Sequence, residues 1–266
     1  MAAVLQSCPV GTLACQKDSY LRALETEVVS CEKLVPVAPS NASMGGKKAD
    51  DGPQSDMWRV EFKDSVLFPE GDREPYLQTP LELLSNAGIG GGQPSDHGSL
   101  QRLNDSDDKL SQPFSIKNVQ RDGLRSVCHS EQYLEPGLKV LQNVDSERRW
   151  DHMQQHTGQH LLSAVMDTYE NLESIGWGMG QAGSSNYIDL PRTPSQDEMR
   201  EIEKRCNDII RDNLAIDVVY PEGDGLSEGN GHDKHEKGVI RVIKIGDIDS
   251  NAYVLIATHS TITLEY

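Results

Sequence analysis

The sequence predicts an α+β fold, on three observations. Trp58-Arg59-Val60-Glu61-Phe62 alternates apolar and polar residues with the period of a half-buried strand. Arg148 to Leu162 runs without proline into an apolar stripe of Leu161, Leu162, Ala164, Val165 and Met166, which is helical. After a second helix, β-branched runs at Asp217–Tyr220 and Val239–Ile245 return the chain to strands. Mostly strands before residue 145 and mixed elements afterwards give the class. They also divide the chain into a β-rich part over 1–145 and an α+β part over 146–266.

Taken in order, Glu25–Cys31 reads as a strand through Thr26, Val28 and Val29. Residues 36–54, rich in Pro, Gly, Ser and like charges, read as a loop. Val66–Phe68 is expected to extend the sheet begun at Trp58. Pro75 and Pro80 break the stretch 72–89, where only Leu81–Leu84 looks structured, and a glycine-rich loop, Gly90 to Gly98, follows. Asn104–Gln112 is a further polar loop, and Gly137–Val144 a strand feeding the first long helix, where Asp151 serves as N-cap or early acid. Thr193-Pro194-Ser195-Gln196 reads as a capping box. The helix it opens is expected to bury Met199, Ile202, Cys206, Ile209 and Ile210.

With 266 residues the chain can build one large or two modest domains, but 36% hydrophobic and 5% aromatic content makes the core thin and several loops poorly packed. Five scattered cysteines without CxxC spacing suit a reducing compartment. Met1–Gln16 has neither a basic lead nor a long apolar run, and no segment reaches bilayer length, so a soluble cytoplasmic protein is expected. A net charge of −17 argues against non-specific nucleic-acid binding. An RNA partner would need local patches such as Arg148 with Arg149, or Arg241 with Lys244.

The most informative run is Arg148-Arg149-Trp150-Asp151-His152-Met153-Gln154-Gln155-His156-Thr157-Gly158-Gln159-His160. His152, His156 and His160 fall at successive i, i+4 positions and share one helix face. His152 and His160 are roughly 12 Å apart along the axis, so one ion takes a neighbouring pair and not all three. The competing reading is a solvated polar face. Thr157 stands where an HExxH helix would place its glutamate, so the helix supplies no carboxylate base. Gln159 reads as a solvated side chain, Asp96 as the cap of its turn, and Cys206 as a small core residue.

With the glycine-rich loop Gly91-Gly92-Gln93-Pro94-Ser95-Asp96-His97-Gly98 and Val66-Leu67-Phe68-Pro69-Glu70-Gly71, this run resembles the AlaX-type trans-acting alanyl-tRNA editing proteins. These resemble the editing domain of alanyl-tRNA synthetase. The weaker similarity extends from about Cys15 to Asn251. The resemblance implies a small glycine-rich β domain followed by an α+β editing core that contains the metal-binding helix. It implies hydrolysis of the ester joining a wrong amino acid, chiefly serine, to tRNA(Ala), with the tRNA acceptor end as partner and Zn2+ as cofactor. By position, His156 and His160 match the family's helical zinc ligands, while His152 matches a histidine that is not a ligand and is a candidate for water activation. Gly91, Gly92 and Gln93 are candidate substrate-binding residues. Oligomeric state is not legible.

Two departures stand out. In the family the Phe-Pro-Glu-Gly segment runs straight into the glycine loop, whereas Asp72–Ile89 intervenes here, as a surface loop or as sequence foreign to the working chain. Leu255 stands where the family has a ligand cysteine, leaving Thr258-His259 as the match and His259 as candidate third ligand of a His156, His160 and His259 site. The second part therefore reads as an editing domain truncated at its C terminus. A catalytically inactive editing-fold module that binds only RNA or protein is the alternative.

Overall fold

The structure, a computed structural model, describes residues 6–34, 56–70, 93–103, 111–180, 185–219, 242–252 and 261. Outside them lie the loop expected at 36–54, the stretch 72–89, most of the polar run at 104–112, the pair Gly91 and Gly92, and Arg241, Leu255 and His259.

A short helix α1 (Ala14–Lys17) leads into β1 (Ala23–Lys33), which outruns the expected strand at both ends. Then follow β2 (Trp58–Phe62), β3 (Gly98–Arg102), β4 (Phe114–Ile116), β5 (Val119–Asp122), β6 (Arg125–Ser130) and β7 (Lys139–Val144). They form one antiparallel sheet in the order β4-β3-β7-β1-β2-β6-β5. The first half of β1 pairs with β7 and the second with β2, with a break in register between Val28 and Ser30. Such a break bends a strand and increases its twist. The edge strands β4 and β5 are joined by Lys117 and Asn118 alone, so the sheet must curl back on itself like a small barrel. Its interior is filled by Val28, Val60, Phe62, Leu67, Leu100, Ile116, Val119, Leu134 and Val140.

Val66–Phe68 extends no strand. It crosses the sheet as a fully buried segment whose amides find side chains instead: Val66 donates to Gln142 Oε1 at 2.9 Å and Phe68 to Asp96 Oδ2 at 2.6 Å. Buried backbone needs such partners, and here polar side chains replace a ladder.

The helix expected from Arg148 begins earlier, as α2 (Ser146–Met166), with Asp145 as N-cap accepting from the Arg148 amide at 3.2 Å. Asp151 is exposed in its second turn. After α2 come the hairpin β8 (Gly176–Gly178) and β9 (Tyr187–Asp189), then α3 (Gln196–Asp212). The capping box of α3 is Ser195 with Glu198, two residues beyond the expected one. The α2–α3 contact buries Leu161, Val165, Met166, Leu172 and Ile202, each worth about 1.5–3 kcal/mol relative to exposure. Cys206, Ile209 and Ile210 are half-buried around it, while Met199 is 40% exposed and outside the core. A second antiparallel sheet of β10 (Ile216–Val219), β11 (Val242–Ile245) and β12 (Asp249–Ala252) completes the mixed α+β architecture. No described helix is long and apolar enough to cross a membrane.

Candidate functional site

Arg149 fixes where α2 lies. Its side chain is 4% exposed and grips Asp96, which is fully buried, in a pairing that includes 2.9 and 2.8 Å bonds from Nε. It also donates to the carbonyls of Ser19 at 3.0 Å and Val66 at 2.5 Å. Burial pushes the Asp96 carboxyl up, against the pull of Arg149 and the Phe68 amide. The guanidinium stays charged beside it. One side chain thus ties α2 to three stretches of the β-rich part. Arg149 is no RNA contact, and Asp96 is half of a buried ion pair rather than a simple turn cap.

One to three turns later come the histidines. His152, His156 and His160 are 6%, 3% and 7% exposed, so the solvated-face reading does not hold. The rings of His156 and His160 stack with centroids 5.0 Å apart, inclined by 23°. Burial pushes the His156 imidazole well below the usual range, and His160 and His152 push the same way. Burial also lowers His160, against a raising contribution from Asp249 on β12. His152 is driven to about 4, by burial first and then by Arg148. All three rings are therefore neutral at pH 7, the state in which imidazole nitrogen binds metal.

The glycine-rich loop reaches this pair through Gln93. The residue is 1% exposed, and the His156 Nδ1–H donates to Gln93 Oε1 at 3.3 Å. A bond of this kind sets the tautomer and leaves the lone pair of His156 on Nε2, the nitrogen that could face a ligand. Gln93 Nε2 and His152 Nδ1 are buried with no hydrogen-bond partner among the described residues.

Trp177 forms another wall, its ring 4.7 Å from His156 and 6.2 Å from His160. Its orientation follows from the glycines on either side. A Cβ on Gly178 would overlap the Tyr187 ring, so Tyr187 lies over one face of β8 and Trp177 turns from the other face to α2. The Gly-Trp-Gly triplet was the available signal for this residue, and it was missed. Gln159 is also buried, with Nε2 donating to Ser163 Oγ at 3.1 Å, and is not the solvated residue expected. A separate apolar groove of about 730 Å³ opens on the opposite side of α2, along Gly158, Leu162 and Cys206, away from the histidines.

The donor chemistry of this site fits a borderline ion such as Zn2+: two neutral imidazoles one helical turn apart, one of them oriented from behind by an amide. Among the described residues no set of three His, Cys, Asp or Glu side chains converges. The third ligand expected at His259 falls outside them.

No family model matches the chain. Individual relatives do. It is 35% identical over 242 residues to the alanyl-tRNA editing protein Aarsd1 of Mus musculus, covering 89% of this chain and 49% of that protein. It is 31% identical over 241 residues to Aarsd1 of Danio rerio, with shares of 89% and 49%. To the alanyl-tRNA editing protein AlaX-L of Pyrococcus horikoshii it is 27% identical over 245 residues, with shares of 88% and 47%. The chain belongs to the AlaX-type alanyl-tRNA editing family. It spans about half the length of the curated relatives it matches. In this AlaX-type chain the histidine run and Gln93, distant in sequence, meet at one buried site.

Proposed function

We propose that the chain is an aminoacyl-tRNA deacylase that hydrolyses the ester of mischarged tRNA(Ala), chiefly Ser-tRNA(Ala), in the cytoplasm. The observation that carries this reading is the buried, neutral His156–His160 pair backed by Gln93, in a chain of this family. His156 and His160 would hold Zn2+, with His259 as third ligand. When bound, the ion supplies Lewis acidity and a water of lowered pKa.

The chain's own residues contribute three things. Gln93 holds His156 through Oε1, and its unpartnered Nε2 is a donor for the aminoacyl group. A buried donor for a serine hydroxyl would be left unpaired by alanine, which makes such readout selective. Gly91 and Gly92, preceding it, are proposed to give the terminal nucleoside close access to the backbone. His152, with a pKa of about 4, is a weak base at neutral pH. Its Nδ1 is expected to orient water or a ribose hydroxyl rather than to store a proton. Water oxygen adds to the carbonyl carbon, the bond to the ribose oxygen breaks, and the proton ends on that oxygen.

A second reading, an RNA-binding module without hydrolysis, is favoured by the lack of a third converging ligand among the described residues. Release of serine from Ser-tRNA(Ala) and of alanine from Ala-tRNA(Ala) decides between the two. Fast release from the first and slow release from the second supports editing. Binding to both with hydrolysis of neither supports the module.

A further inference from the structure

Arg148 continues the imidazole stripe one turn toward the start of α2, since 148, 152, 156 and 160 are four residues apart. Strand pairing brings two more groups beside it. Gly98 pairs with Ile116 on β4 and with Val144 on β7. His97, one residue earlier, therefore lies between Lys117 and Asp145, and its carbonyl accepts from the Asp145 amide at 2.8 Å. Arg148 is drawn to the same spot, with Nε donating to the Ser95 carbonyl at 3.2 Å. Both Arg148 and Lys117 act electrostatically on the His97 ring, opposed there by Asp145 and Asp96.

Those acids are already engaged. Asp145 caps α2 and Asp96 is gripped by Arg149. The nearby Asp151 is exposed and acts on His152. No carboxylate among the described residues closes an ion pair on Arg148 or Lys117. In a chain of net charge −17, two cations with no ion pair among the described residues form a local basic spot beside the buried histidines, one of them held in place through the Ser95 carbonyl.

We propose that Arg148 and Lys117, with His97 between them, form a phosphate-binding subsite for the backbone of a single-stranded RNA end that leads into the His156–His160 site. This rests on the deacylase reading and adds where the acceptor strand lies. Arg148 offers a planar fork suited to phosphate oxygens, Lys117 a mobile point charge, and His97 a ring N–H. Along the helix, Arg148 is roughly 12 Å from His156. That leaves room for a few nucleotides, at about 3.4 Å per stacked step, between the held phosphates and the ester.

The test uses the full chain and an uncharged tRNA(Ala) transcript, with affinity measured by anisotropy from 50 to 300 mM KCl. Each lost single-strand phosphate contact should flatten the plot of log K against log salt by about 0.7. R148Q/K117Q together should flatten it by about 1.4 and weaken low-salt binding about tenfold, while R148K, which keeps the charge, should stay near wild type. K204Q, on an exposed position of α3, should not change it. With Ser-tRNA(Ala), R148Q/K117Q should raise KM by a larger factor than it lowers kcat. An unchanged slope in the double variant, beside a wild type that binds and deacylates, overturns the subsite and leaves the deacylase reading intact. A wild type that neither binds nor deacylates tRNA overturns both. Circular dichroism of each variant separates a lost contact from a lost fold.

Discussion

Replacing Arg149 with methionine should be among the most damaging single changes in the chain. The side chain is 4% exposed and satisfies Asp96 together with the carbonyls of Ser19 and Val66. Removing one partner of a buried ion pair typically costs about 3–5 kcal/mol, because the other charge is left without compensation. For a chain of this size that corresponds to a fall in Tm of roughly 10 °C, at about 2–4 °C per kcal/mol. The cost has a pH signature. In R149M the Asp96 carboxyl loses what opposes its burial, so its folded pKa rises further above the unfolded value. A group of that kind regains stability as pH falls toward its folded pKa, at up to about 1.4 kcal/mol per pH unit. The deficit of R149M should therefore be larger at pH 7 than at pH 5. R149M/D96N, which removes the stranded charge but keeps an acceptor for the Phe68 amide, should recover most of the loss. Urea denaturation followed by circular dichroism reads all of this. A cost below about 1 kcal/mol at pH 7, or a deficit that grows on acidification, would refute the buried-pair reasoning.

Three other outcomes follow from the same geometry. Gln93→Ala removes the group that orients His156 and should weaken zinc binding about 10- to 100-fold in a chelator competition; unchanged affinity would mean the 3.3 Å contact orients nothing. The folded His152 pKa of about 4 lies below its unfolded value, so the metal-free chain binds fewer protons folded than unfolded. Its stability should fall between pH 7 and pH 5, by about 2 kcal/mol from this residue alone. His152→Asn should flatten that slope, and an equally steep profile in the variant would count against it. Gly158→Ala should stabilise by about 0.5–1 kcal/mol in thermal melts, because a Cβ there meets open space in the interior of α2. A destabilised variant would mean that the groove beside Gly158 is filled.

What could be read from the sequence depended on how local its cause was. The strand Trp58–Phe62 was legible to the residue because its apolar residues alternate with polar ones, although Glu61 between Val60 and Phe62 is buried as well. Gly98–Arg102 was not, since it contains a single apolar residue and is a strand only because β4 and β7 flank it. The start of α2 was placed late because Ser146 to Arg149 shows no apolar stripe, and only Asp145 marks the cap. Two overlapping capping boxes fit Thr193 to Glu198. The structure uses Ser195 with Glu198, whose carboxylate also takes up Arg192. The histidine face was legible, but its burial was not, because what covers it comes from Gln93 and Trp177 elsewhere in the chain. The Arg149–Asp96 pair joins residues 53 positions apart, and in an acidic chain neither announces its partner.

The central claim is that His156 and His160 hold the metal on which ester hydrolysis depends. The most direct test is the zinc content of the purified full-length chain beside H156A and H160A, each assayed for Ser-tRNA(Ala) deacylation. The expected result is one equivalent of zinc and rapid deacylation in the wild type, with metal and activity lost together in both variants. Deacylation that persists in H156A, or zinc retained at full occupancy in both variants, would contradict it.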